Sequence, residues 1–161
     1  MTLLKFCCVS SEFCEKTLPL VFSLLQNSES PVIRGNIVIG LGDLVISFNS
    51  IIDPNITFLY NRLCDPDYHV KKNTFMVLTF LILNGMIKVK GQISEMAKCL
   101  EDSDERIRNL AKLFFTELAA KENSIYNNLP DIISNLVEFD QAKYYRIMKF
   151  VIGFITKVCL V

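Results

Sequence analysis

Three short segments of this chain superimpose without a gap. Ser28-Glu-Ser30-Pro-Val-Ile33-Arg34, Asp65-Pro-Asp67-Tyr-His-Val70-Lys71 and Asp102-Ser-Asp104-Glu-Arg-Ile107-Arg108 follow one another at offsets of 37 residues. The register persists downstream, where Ile39, Met76 and Leu113 share a position, as do Leu41, Leu78 and Phe115, and Leu44, Leu81 and Leu118. A unit of this size cannot bury an apolar face alone, so neighbours must stack to share a core. The repeat therefore restricts the fold before any single motif is considered.

Each unit reads as two helices. In the second helix apolar residues recur three and four apart, as in Val70, Thr74, Val77, Leu78, Leu81 and Ile82, or Ile107, Leu110, Leu113, Phe114 and Leu118. Ser30, Asp67 and Asp104 stand where an N-cap is needed, and Pro31 suits a first turn. Asp53-Pro54 opens a helix through Leu59 and Leu63, and Gly91 or Gln92 to Leu100 is its counterpart in the third unit. Asn128-Leu-Pro130 opens a helix over Asp131–Glu138, partnered by Gln141–Val158. The pattern predicts an all-α fold, a right-handed α-solenoid of about four HEAT-type hairpins covering 17–48, 53–84, 90–121 and 129–158 in a single segment. An acidic residue six before a basic one at the hairpin turn fits that type: Asp65/Lys71, Asp102/Arg108 and, weakened, Ser28/Arg34. Tetratricopeptide units need 34 residues and their Trp/Gly/Tyr pattern, and ankyrin units a Thr-Pro-Leu-His element. Neither is present.

Composition excludes other classes. At 51% apolar residues and mean hydropathy +0.34 the chain is not disordered, and 17 basic against 17 acidic residues exclude a uniformly basic nucleic-acid binder. The balance is uneven, because residues 65–100 hold five basic and three acidic groups. The apolar runs Phe75–Leu83 and Phe150–Val161 are broken or short beside the roughly 20 residues of a membrane span, and the start lacks a signal-peptide core. No membrane partner is expected. The cysteines at 7, 8, 14, 64, 99 and 159 lack zinc spacing and read as thiols of a reducing compartment. Asn55-Ile-Thr57 forms a sequon without the secretory context that would use it.

Catalytic chemistry is hard to find. Gly40-Leu-Gly42-Asp43 begins like a dinucleotide fingerprint, but Val45 takes the third glycine position and no strand precedes it. Close helix packing is the better reading. His69, the one histidine, lies in a turn beside Tyr68 with no orienting partner, so a Cys–His nucleophile is not supported. The acidic run Glu101, Asp102, Asp104 and Glu105 reads as helix capping rather than a divalent-metal site. The expectation is no enzyme, no cofactor, no metal and no small-molecule substrate. Two readings remain for the ladder Arg34, Lys71 and Arg108: internal pairing with the turn aspartates, or positive charge, with Lys72, offered to phosphates or a partner. The connection Asn84-Gly-Met-Ile-Lys88-Val-Lys90-Gly91-Gln92 adds two lysines to the net-positive stretch.

At this connection the sequence resembles a known family. Ile37-Val-Ile-Gly40-Leu-Gly-Asp43-Leu, Leu59-Tyr-Asn-Arg62-Leu-Cys-Asp65-Pro, Val70-Lys-Lys-Asn-Thr74, Met86-Ile-Lys-Val-Lys-Gly-Gln92 with Ser94-Glu-Met-Ala97, Ala111-Lys-Leu-Phe-Phe115 and Ile125-Tyr-Asn-Asn-Leu-Pro-Asp-Ile-Ile133 together resemble the HEAT-repeat regulatory subunit of condensin, its condensin I form above all. The resemblance implies a non-catalytic subunit in the nucleus, on chromosomes. Such subunits bind the kleisin and an SMC ATPase head and contact chromosomal DNA during mitotic condensation. A Lys-Gly loop approaches the SMC head in that family, and Lys88, Lys90 and Gly91 are the matching positions. Asn55, Ser47 and Cys64 replace residues that relatives hold as Trp or basic side chains, which weakens the implied DNA contact.

Relatives exceed a thousand residues, so the chain is expected to be an internal block of a longer solenoid. A generic HEAT adaptor or transport-carrier fragment is the alternative, and it predicts acidic inner faces. Apolar terminal stretches, Leu3–Val9 and Ile147–Val161, predict self-association of the isolated chain.

Overall fold

The computed structural model describes residues 2–87, 92–121, 124–137 and 140–158, with side chains as far as Phe154. Every element among the described residues is helical. The chain divides into two compact units, Met1–Lys88 and Val89–Val161, and the division falls in the sequence between the second and third expected hairpins.

The first unit is built around a long central helix. Helices α1 (Thr2–Cys7) and α2 (Ser11–Asn27) lead into α3 (Pro31–Ile52), and α5 (Tyr68–Leu83) packs against α3. Between them, residues 53–64 form a 3-10 turn (Asp53–Asn55), a single α-turn α4 (Thr57–Tyr60) and a second 3-10 turn (Asn61–Cys64). One continuous helix was expected here. Pro54, β-branched Ile56 and Thr57, and Asn61 are poor α-formers, and the tighter turn still buries Leu59, Tyr60 and Leu63.

The first hairpin is longer than its sequence reading. Helix α2 begins at Ser11, where the Ser10 hydroxyl accepts from the Phe13 amide at 3.3 Å, and α3 continues past Phe48. At Phe48 the backbone leaves helical geometry (φ −143°, ψ 61°), so α3 is broken by one residue rather than ended. Its middle carries Gly40 and Gly42 for close approach. A Cβ on Gly40 would run into the Leu4 side chain of α1, and one on Gly42 would lie 2.8 Å from Val77 Cγ1 of α5. Those glycines are contact points between helices, not a phosphate loop.

One correction concerns membranes. The stretch Pro31–Asn55, which contains an 18-residue window of mean hydropathy 1.6, is long and apolar enough to cross one, although the shorter runs considered from sequence are not. Half of that window is buried within the protein, and Arg34 of the same helix is buried too, as in a central core helix.

The second unit contains α6 (Ile93–Lys98), a 3-10 turn (Cys99–Glu101), α7 (Glu105–Ala119), α8 (Ser124–Leu136) and α9 (Gln141–Val158). Gln92 is the N-cap of α6, close to the expected start, while Gly91 lies outside the described residues. Helix α8 starts before Pro130 rather than at it. Ile125, Ile132 and Leu136 are buried at helical spacing, and this apolar stripe outweighs the amide that Pro130 lacks. Glu138, the expected end of that helix, lies outside the described residues.

Burial sorts the register positions. Leu41, Leu78 and Phe115 are all within 1% of complete burial, and Leu44, Leu81 and Leu118 are buried too. Ile39, Met76 and Leu113 are 37%, 51% and 57% exposed, so the third apolar set lines the surface instead of the core.

Candidate functional site

Charged side chains pair at the hairpin turns. In the first unit Asp65 is buried, and its two oxygens accept from Arg34 Nη2 and Nε, each at 2.8 Å. Asp65 Oδ1 also accepts from the Asp67 amide at 3.0 Å, and Arg62 Nη1 approaches Oδ2 at 3.5 Å. Arg34 spends Nη1 on the carbonyls of Ser28 (2.8 Å) and Glu29 (3.0 Å) in its own turn. The guanidinium thus fastens its own turn to the aspartate of the next one.

Burial alone would raise the Asp65 carboxyl. The Arg34 hydrogen bonds, the Asp67 amide and the charges of Arg34 and Arg62 outweigh it and hold the group below its ordinary range. Hydrogen bonding to Asp65 correspondingly raises Arg34 above its ordinary value against the opposing effect of burial.

The same small motif recurs in the second unit. The Asp104 amide donates to Asp102 Oδ1 at 2.8 Å, and Arg108 Nη1 donates to the carbonyls of Asp102 (2.7 Å) and Ser103 (3.0 Å), as Arg34 does to Ser28 and Glu29. The residue six before each arginine therefore contributes its carbonyl, not its side chain, to that contact. Asp67 caps α5 through the His69 and Val70 amides (2.8 and 3.2 Å), and Asp104 caps α7 through the Arg106 amide (2.8 Å). The Arg106 side chain bonded to Asp104, with that amide, brings its carboxyl down to about 2 despite some burial. Ser30 holds the equivalent place before α3 without a side-chain capping bond.

The structure separates the candidate cations. Arg34 is buried at 8% exposure and faces Asp65, Lys71 and Lys72 are half-buried near the start of α5, and Arg108 is half-buried on the first turn of α7. Lys88, Lys90 and Gly91 lie outside the described residues, but the stem leading to them is defined. Gly85 adopts φ +67°, and the Gly85 and Met86 amides donate to the Ile82 (3.0 Å) and Leu81 (2.9 Å) carbonyls, closing α5 with a Schellman motif. The Met86 carbonyl accepts from Asn49 Nδ2, just past the break in α3, and Ile87 is buried.

Other chemistry-bearing groups are structural in their contacts. His69 meets Tyr68 edge-on at 5.2 Å, and among the described residues no cluster of three His, Cys, Asp or Glu could hold a metal. Cys7 and Cys14 are buried free thiols, and burial pushes Cys14 up to about 11. Sequence reading missed two partners, Arg62 beside Asp65 and Arg146, whose Nε and Nη2 donate to Glu101 Oε2 at 2.9 and 2.7 Å. The spacing of three between Arg62 and Asp65 was a local signal for the first. The second joins residues 45 apart and has no local signal.

Comparison with known proteins places this sequence in a family. The profile for the non-SMC mitotic condensation complex subunit 1 matches residues 32–158. Condensin complex subunit 1 of Schizosaccharomyces pombe is 50% identical over 98% of this chain, that of Saccharomyces cerevisiae 47% over 95%, and that of Homo sapiens 46% over 95%. The chain spans 14%, 13% and 11% of those proteins' lengths. With the profile and about half of all positions identical over nearly the whole chain in agreement, the chain belongs to the condensin subunit 1 family.

Proposed function

We propose that this chain is a non-catalytic segment of a condensin regulatory subunit, a right-handed HEAT-type solenoid of about four hairpins that docks the SMC ATPase head and the kleisin. Its place of action is the nucleus, on chromosomes undergoing mitotic condensation. The observation that carries this reading is 50% identity over 98% of the chain to a condensin complex subunit 1. The repeated turn chemistry supports the solenoid part, since Asp65–Asp67 and Asp102–Asp104 make the same bonds 37 residues apart.

Within this reading the loop Lys88, Lys90 and Gly91 meets the SMC head. A glycine lets the backbone approach closely, and lysines on a defined stem meet an acidic or phosphate-bearing surface. Lys71, Lys72 and Arg108 add positive charge for a partner. Direct contact with chromosomal DNA is a minor part of the role, because Arg34 is committed to Asp65.

A pull-down of the SMC head by the chain tests the assignment. Lys88→Glu/Lys90→Glu, which leaves the Asn49–Met86 stem untouched, is expected to abolish capture. Equal capture by both proteins would remove the loop from the interface.

A further inference from the structure

A cleft of about 630 Å³ opens in the second unit between α7 and α9, lined by Thr116, Arg146, Lys149, Phe150, Gly153 and Phe154. None of these lining residues is acidic. Helix α9 itself contains Lys143, Arg146, Lys149 and Lys157 and no Asp or Glu, a local charge that the near-balance of the C-terminal third conceals. Arg146, Lys149, Phe150 and Phe154 fall at helical spacing on one side of α9.

The two cations are differently prepared. Arg146 is held by Glu101 through Nε and Nη2, so its direction is fixed while Nη1 makes no hydrogen bond among the described residues. Lys149 is exposed and forms no ion pair among them. Beside them Phe150 and Phe154 meet edge-to-face with ring centroids 5.1 Å apart. A pre-aimed guanidinium edge, an unpaired ammonium and an aromatic wall together suit a carboxylate adjoining an apolar side chain.

We propose that this cleft binds a short acidic peptide segment of a partner protein, its carboxylate on Arg146 Nη1 and Lys149 and an adjacent Leu or Phe side chain on Phe150 and Phe154. Duplex nucleic acid fits less well. Its affinity grows with the number of phosphates neutralised, and here one of the two cations is already shared with Glu101. The proposal goes beyond the loop assignment and uses different residues, so either can fail alone.

The test is selection from a displayed library of random short peptides on the full chain, with Lys149→Glu in parallel. Selected sequences are expected to place Asp or Glu beside Leu or Phe. A fluorescein-labelled synthetic copy should lose roughly ten-fold in affinity on Lys149→Glu, and by a similar factor on Phe150→Leu, which keeps apolar volume but removes the ring face. Circular dichroism on both variants separates loss of binding from loss of fold. Selection without acidic enrichment, or equal binding by Lys149→Glu, overturns the proposal. So does a short DNA duplex that binds more tightly than the peptide and loses that binding on the same substitution.

Discussion

Replacing Arg34 with Met keeps most of the aliphatic stem and removes the guanidinium from Asp65. The Asp65 side chain is fully buried, and its two strongest contacts are the paired 2.8 Å bonds from Arg34. Removing one partner of a buried pair strands the other charge, at a cost of about 3–5 kcal/mol. Arg62 at 3.5 Å and the Asp67 amide soften that loss, which sets the expectation near 3 kcal/mol at pH 7. The sign of the pH dependence gives a sharper check. In the native protein the Asp65 carboxyl is held below its unfolded value. Its stabilisation is therefore complete above about pH 5 and fades as pH falls through the folded value. In Arg34→Met, burial dominates and lifts the carboxyl above its unfolded value. The penalty is then largest at neutral pH and is relieved by acid, so the two proteins converge as pH drops from 7 toward 4. Urea denaturation followed by circular dichroism at several pH values measures this directly. The double variant Arg34→Met/Asp65→Leu should recover most of the loss, because no charge remains buried. A loss below about 1 kcal/mol at pH 7, or a difference that does not shrink with acid, refutes the reasoning.

Two further outcomes follow from the helix contacts. Gly42→Ala should destabilise the chain by about 1–3 kcal/mol in the same denaturation assay, because Val77 is β-branched and cannot swing its methyl away. Ser30→Asp should raise the melting temperature by supplying the charged cap that Asp67 and Asp104 provide elsewhere, worth about 0.5–1 kcal/mol.

The recurrence of Leu41, Leu78 and Phe115 made the helical class and the core positions of the second helices legible, because stacked units must bury equivalent residues. Ile39, Met76 and Leu113 show the limit of that inference. Apolar character repeats at this position too, yet the side chains remain exposed. Helix limits were legible where a cap acts, as at Asp67 and Asp104, and misread where tertiary burial overrode a local signal. Pro130 is the clearest case, since Ile125, Ile132 and Leu136 carry α8 across it. Of the candidate site, sequence spacing named Arg34 and Asp65 as turn residues. Internal pairing with a turn aspartate is one of the two sequence readings of the arginine ladder, and Arg34 makes it with the aspartate of the next turn, 31 residues away. The cleft beside α9 left no such signal, because its walls come from separate helices.

The bond from Asn49 to the Met86 carbonyl ties the closed end of α5 to the last turn of α3. Ile87, the next residue, is buried. Because Asn49 follows the break at Phe48, a displacement of Met86 is passed to α3 at the one place where its helical geometry is interrupted. Phe48 and Asn49 are therefore the positions at which to watch for mechanical coupling between the two helices.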